Sequence, residues 1–253
     1  MNYLPRTIYE AEHIEFRRTV RNWIESEIVP NHEQWERDGI VPRSVWEDAG
    51  MRGFLGIAVP EIYGGGGSED FRFAAIISEE IGFAGVVGGA HGFTVHNDIV
   101  LPYILSLAND EQKMRWLPKM VSGKYIGALA ITEPNTGSDM GAIKTTALLD
   151  GVEYIVNGSK TFISNGINSD VIVVAVRTAP DLGKKGISLL VIERGMNGFE
   201  RGRNLEKIGK HSQDTAELFF NNMRVPASNL LGLEGDGMKY LMHNLAQERL
   251  SIA

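Results

Sequence analysis

The sequence predicts an α+β protein of several domains. An all-α helical domain comes first, an antiparallel β-barrel or sandwich domain follows, and the start of a further helical segment closes the chain. Three observations predict this. Apolar residues recur at helical spacing up to about Val121. Around Val121-Ser122-Gly123-Lys124 the period changes from helical to alternating. From Gly235 it returns to helical. The expected boundaries are therefore 1–123, 124–233 and 234–253.

Composition narrows the function classes. The 253 residues are 43% hydrophobic and 23% charged, ordinary for a globular protein with a sizeable core. The 29 glycines point to many turns and a β-containing part. A formal net charge of -7 gives no basic footprint for nucleic acid or an anionic membrane. With no cysteine, disulfides, thiolate metal sites and a cysteine nucleophile are excluded, which agrees with a reducing, cytoplasmic setting. Residues 1–30 lack the continuous apolar stretch of a secretory signal. The longest aliphatic run, Val171 to Val176, is too short to span a bilayer.

The helical part is read in order. Phe16, Val20, Trp23, Ile24 and Ile28 form one apolar stripe, which Pro30 punctuates. Val45, Trp46, Ala49 and Leu55 mark a short helix interrupted by Gly50 and Gly53. Tyr63-Gly64-Gly65-Gly66-Gly67 lacks the Lys-Ser/Thr of a phosphate loop and reads as a flexible linker. Ser68 is the expected N-cap of the next helix, whose buried face is Phe73, Ala74, Ile77 and Ile81. His91, His96 and Asp98 lie close together, but a spacing of five does not stack two ligands on one helical face, so no metal site is expected. Asn109 to Gln112 is a capping-box pattern opening a helix that runs to about Met120.

Strands are expected over 125–131, 144–149, 152–156, 161–164, 171–177, 187–192 and 215–220. Asp150-Gly151 and Asn157-Gly158 carry hairpin signals, Lys185-Gly186 a weaker one. In the last segment Leu241, Leu245 and Ile252 share a helical face. The pattern is still running at Ala253, which reads as a piece of a longer protein or a subunit completed by another chain.

Two stretches and one residue carry chemistry. In Ala128-Leu129-Ala130-Ile131-Thr132-Glu133-Pro134-Asn135-Thr136-Gly137-Ser138-Asp139 a buried strand runs into turn formers, with Pro134 ending ladder pairing. Gly137 permits close approach to the backbone, and Thr132 and Ser138 place hydroxyls on either side. This suits a cradle for a polar cofactor edge and an anionic linker; it also suits an ordinary polar loop. In Asn157-Gly158-Ser159-Lys160-Thr161-Phe162-Ile163-Ser164-Asn165-Gly166, Phe162 and Ser164 share one side of a strand, an aromatic beside a hydroxyl that fits a flat ring with polar edges. Glu248 falls inside the apolar stripe of the last helix. A carboxylate there is costly unless paired or functional, and burial makes it a stronger base. A Glu held by Arg249, or by a charge outside the chain, is the alternative.

Together with Asp214-Thr215-Ala216-Glu217-Leu218-Phe219-Phe220, Arg224-Val225-Pro226 and Leu230-Leu231-Gly232, these stretches resemble the acyl-CoA dehydrogenase family over nearly the whole chain. The subgroup resembled is that of the long-chain and isovaleryl enzymes, because Gln247-Glu248-Arg249-Leu250 matches their base context. The resemblance implies an N-terminal helical domain, a middle β domain, and a truncated first helix of a C-terminal helical bundle. It implies FAD, an acyl-CoA substrate oxidised to the 2-enoyl-CoA, electron-transfer flavoprotein as acceptor, and a homotetramer when full length. Glu248 matches the base that takes the α-proton. Leu129, Ile131, Thr132, Gly137, Ser138, Phe162 and Ser164 match FAD-contacting positions. Ser138, Ala246, Gln247 and Arg249 match substrate-side positions, Arg249 either meeting the anionic CoA or pairing with a carboxylate. The family often has an aromatic where Leu129 stands and Trp-Ile-Thr where Phe162-Ile163-Ser164 stands. A related flavin oxidase or monooxygenase, and a non-catalytic partner subunit, are the competing readings.

Overall fold

A computed structural model describes residues 6–252; Ala253 lies outside them. The helical part contains α1 (Ala11–Trp23), α2 (Val29–Asp38), α3 (Arg43–Met51), α4 (Phe71–Ala84), α5 (Val87–Thr94), α6 (Leu101–Leu107) and α7 (Asp110–Val121). Val20, Trp23, Ile24 and Ile28 are buried as one stripe against Trp46, Phe54, Ile77 and Phe93. Pro30 does not end the first helix. A π-helical turn at Ile24–Ile28 leads into α2, and Pro30 sits in the first turn of α2, where its missing N–H costs little. A second π-helical segment, Val95–Val100, joins α5 to α6 in the same way, with Pro102 in the first turn of α6.

Two local expectations are corrected. The N-cap of α4 is Asp70, which accepts from Arg72 N at 2.9 Å, while Ser68 Oγ accepts from Asp70 N. The glycine run is not a loose linker. Gly66 N bonds Gly56 O at 3.2 Å and Gly67 N bonds Val59 O at 2.9 Å, and a Cβ on Gly65 would fall 2.1 Å from Val59 O. Glycine is needed there because two backbones touch. The capping box at Asn109 and Gln112 forms as expected.

The β part holds β1 (Gly127–Ala130), β2 (Thr146–Asp150), β3 (Glu153–Ser164), β4 (Val171–Arg177), β5 (Ile187–Glu193), β6 (Phe199–Asn204), β7 (Thr215–Pro226) and β8 (Leu230–Leu231). They form one open, mostly antiparallel sheet in the order β6-β7-β3-β2-β4-β5-β8, with β1 parallel to β4. Asp150-Gly151 makes the β2–β3 hairpin as its sequence signals. Asn157-Gly158 does not turn. It lies within β3, which runs past it in register with β7, shifting at a bulge between Val156 and Gly158. Gly158 has φ of 145°, and a Cβ on it would meet Thr145 Oγ1 at 2.6 Å. A bulge against a neighbouring strand thus asks for the same dipeptide as a tight turn.

The apolar run of β4 has no polar face because both of its faces are covered. Val171, Val173 and Ala175 pack with α6, α7 and the Val95–Val100 segment. Ile172, Val174 and Val176 join the inner residues of β3 and β7 in a second core. The final helix, α8 (Gly237–Ile252), packs against Val95–Val100, β5 and α6. Leu241 is buried there and Leu245 half-buried, but Ile252 is 57% exposed because nothing in the described chain lies over the end of α8.

Candidate active site

The fold joins the two sequence stretches directly. Thr161 N donates to Thr132 O at 2.9 Å, and Thr132 Oγ1 donates back to Thr161 O. Beyond Thr132 the chain turns tightly at Pro134-Asn135, with Glu133 and Thr136 exchanging both backbone bonds at 2.8 and 3.0 Å. Gly137 and Ser138 follow on an exposed rim, and a Cβ on Gly137 would meet nothing within 4 Å. Leu129 and Ile131 are partly buried against the core between helices and sheet.

Phe162 is aimed outward by a second bulge. Lys160 pairs with Leu218 and Ile163 with Ala216, so two residues of β3 oppose one of β7. Phe162 has φ of 59° and is 70% exposed, while Ile163 beside it is buried and Ser164 half-buried. A left-handed conformation at an aromatic residue is strained, and exposing its ring is unfavourable besides. Both costs are understandable if a flat apolar partner covers the ring.

Beneath this rim lies a buried ion pair that sequence reasoning missed. Lys160 Nζ, fully buried, donates to Glu133 Oε1 at 2.9 Å and to Ile131 O at 3.0 Å. Glu133 also accepts from Lys144 N at 2.7 Å and Thr145 N at 2.9 Å. Burial pushes the lysine down to about 8, against the pull of Glu133. Burial raises the Glu133 carboxyl, but Lys160 and the surrounding donors more than offset this and hold it below its usual range. The pair clamps the loop 132–145 onto β3. Its partners stand 27 residues apart, so no spacing rule links them.

The second half of the site is on α8. Glu248 is 9% exposed, and Tyr103 Oη donates to its Oε1 at 2.6 Å. Burial pushes the Glu248 carboxyl up, and the Tyr103 bond partly opposes this. Arg249 is exposed and has no ion pair among the described residues, so Glu248 is held by a phenol rather than by its neighbour. Ala246 is exposed too. Gln247 donates to Asp98 O at 3.2 Å and, with Leu250, lines a cavity of about 520 Å³ between α8, α6 and the loop at 56–59. Val95–Val100 packs against both α8 and β1, and Gly127 N donates to His96 Nδ1 at 2.9 Å. This one segment therefore links the Glu248 wall to the strand that carries the rim.

Among the described residues His96 and Asp98 belong to no group whose ligand atoms converge. His96 is fully buried, its Nδ1 is taken by Gly127, and burial pushes its ring down to about 4. Among the described residues only Glu10, Glu12 and His13 converge as ligands would, and both His13 nitrogens already bond Glu10 N and Asp70 Oδ2.

Asp98 is 8% exposed, lines the cavity, and is pushed up to about 7 by burial alone. An unfolded Asp titrates near 3.9. As pH rises from about 4 to about 7 the unfolded chain gives up a proton that the folded chain keeps, so stability falls across that window. Asp98→Asn is expected to leave the melting point unchanged near pH 4 and to stabilise the protein by about 2–4 kcal/mol at pH 8. Thermal melts across pH 4–8 check this; an equal effect at every pH would mean the carboxyl is paired.

Residues 10–124 match the family Acyl-CoA dehydrogenase, N-terminal domain, and residues 128–223 match Acyl-CoA dehydrogenase, middle domain. The mitochondrial long-chain specific acyl-CoA dehydrogenase of Sus scrofa is 48% identical over 250 residues, which are 98% of this chain and 57% of that protein. The chain thus spans little more than half the length of that relative. The crystal structure of an acyl-CoA dehydrogenase from Geobacillus kaustophilus superposes with a TM-score of 0.95 at 51% identity, covering 98% of this chain and 65% of that one. That of an acyl-CoA dehydrogenase complexed with FAD from Bacillus anthracis gives 0.89 at 30% identity, covering 98% and 42%.

Proposed function

The chain belongs to the acyl-CoA dehydrogenase family, and from that premise we propose that it carries the base and one flavin wall of an FAD-dependent dehydrogenase. The reaction would convert a fatty acyl-CoA thioester to the trans-2-enoyl-CoA. The observation that carries this reading is Glu248: a carboxyl nearly buried, pushed up by that burial, and bonded through one oxygen only to a neutral phenol.

The residues of the rim fit a flavin. Phe162 offers an uncovered ring for a flat face, Thr132 and Ser164 offer hydroxyls at its edge, and Gly137 and Ser138 leave open backbone for the pyrophosphate. Leu129 and Ile131 back the site from the core side. FAD, when bound, supplies the acceptor for the hydride from the β-carbon. Glu248 takes the proton at the carbon next to the thioester carbonyl, and burial strengthens it as a base for that weak acid. We assign Ser138, Ala246, Gln247 and Arg249 to the substrate side; of these Gln247, with Leu250, lines the cavity proposed for part of the acyl chain. Electron-transfer flavoprotein as acceptor and a homotetrameric assembly complete the proposal.

The flavin half is tested by titrating FAD into the protein and following flavin fluorescence. Phe162→Ala is expected to weaken binding about 10-fold, because stacking contributes roughly 1 kcal/mol beyond buried area, and Phe162→Trp is expected to keep it. Equal affinity for all three proteins would remove Phe162 from the site.

A further inference from the structure

Nothing in the sequence draws notice to Tyr103, yet among the described residues it is the side chain that holds Glu248. It lies on α6, 145 residues away in sequence, and is wholly buried. Its phenol is a directed donor. Asn244, one turn before Glu248 on α8, hydrogen-bonds the phenol, and Tyr103 Oη gives its proton to Glu248 Oε1 at 2.6 Å. Burial, with the adjoining carboxylate, pushes the phenol far above its ordinary range, so the proton stays on Tyr103 at any working pH. Tyr103 cannot itself be the base; it can only orient and tune one.

Resting on the assignment of Glu248 as base, we propose that Tyr103 is a positioning residue: it holds one carboxylate oxygen so that the other is aimed to take the substrate proton. The arrangement answers a conflict in the site. Burial makes Glu248 more basic but also favours its protonated form, which takes up no proton. A hydrogen bond to the ionised form counters that at a single oxygen. A water could do the same electrostatically, but it would leave the carboxylate free to rotate.

Other titratable groups on the packed elements do not take this role. Val95–Val100 carries His96 and Asp98, β5 carries Glu193, which pairs with Arg115, and the 180–186 turn carries Asp181, Lys184 and Lys185. On α8 itself, besides Glu248, are Lys239, Tyr240, His243 and Arg249. The influences that shift Glu248 are burial and Tyr103.

The test labels glutamate side-chain carboxyls with ¹³C in this chain and follows their titration by NMR, with Glu248→Gln identifying the resonance. Tyr103→Phe is expected to raise the Glu248 titration by about one pH unit, the size of a hydrogen bond to a charged group. An unmoved titration overturns the proposal. Should Tyr103→Phe fail to fold, fluorotyrosine incorporation strengthens the donor and is expected to lower the Glu248 titration; no movement there overturns it equally. A purely structural Tyr103 would change the melting point and leave both titrations in place. The base assignment fails separately: if flavin-loaded Glu248→Gln still bleaches with acyl-CoA, Glu248 is not the base, whatever Tyr103 does to its titration. If Glu248→Gln abolishes bleaching while Tyr103→Phe shifts neither the acid limb of its pH profile nor the carboxyl resonance, only the positioning role is lost.

Discussion

Glu248→Gln is expected to slow reduction of the flavin-loaded protein by about 10²- to 10⁴-fold, the range for removing a general base, and a carbon acid this weak belongs at the upper end. The amide keeps the shape of the side chain and can still accept from Tyr103, so packing on α8 should survive. What it cannot do is take a proton. FAD affinity is expected to stay the same, because the flavin-facing residues proposed on the rim are a separate set. The measurement is anaerobic mixing with a saturated acyl-CoA while flavin absorbance is followed. Bleaching at the unmodified rate would leave Glu248 a structural acid with an unusually good partner.

Lys160→Met is expected to destabilise the protein by about 3–5 kcal/mol, because it strands the Glu133 carboxylate in the interior. Methionine fills much of the lysine stem, so the loss is chiefly electrostatic. Adding Glu133→Gln removes the stranded charge and keeps one acceptor oxygen, for either Lys144 N or Thr145 N, which bond different oxygens of the carboxylate. The double variant should therefore recover part of the loss, with one backbone N–H left unpaired. Urea unfolding at pH 7 reads both. A loss under about 1 kcal/mol, or a double variant no better than the single, would show that the pair is not a clamp.

The candidate site was legible where chemistry is local and illegible where it depends on distant pairing. Phe162 and Ser164 stood out because alternation along a strand is local, although the bulge that exposes the ring was not foreseen. Glu248 stood out because a charge inside an apolar stripe is visible in one helix turn. Lys160 and Tyr103 were invisible for one reason: each acts on a partner brought near only by the finished fold. Asn157-Gly158 was read as a turn because the dipeptide reports only that positive φ is wanted, and a bulge beside β7 wants it too. Ser68 lost the cap to Asp70 because both are good caps and the decision lay in where α4 begins.

The π-helical segment Val95–Val100 sets the phase of everything after it. Leu101 N bonds His96 O, five residues back, so this turn holds more chain than an α-helical turn would. Were the same residues wound as an ordinary helix, the extra one would swing α6 by about 100° about its axis. Tyr103 would leave Glu248, while the buried stripe Leu101 and Ile104 would rotate out of the core with it. Losing one residue within the segment is the change that would let an ordinary helical turn keep α6 in phase. The wide winding of this segment is thus as much a part of the candidate active site as the residues that line it.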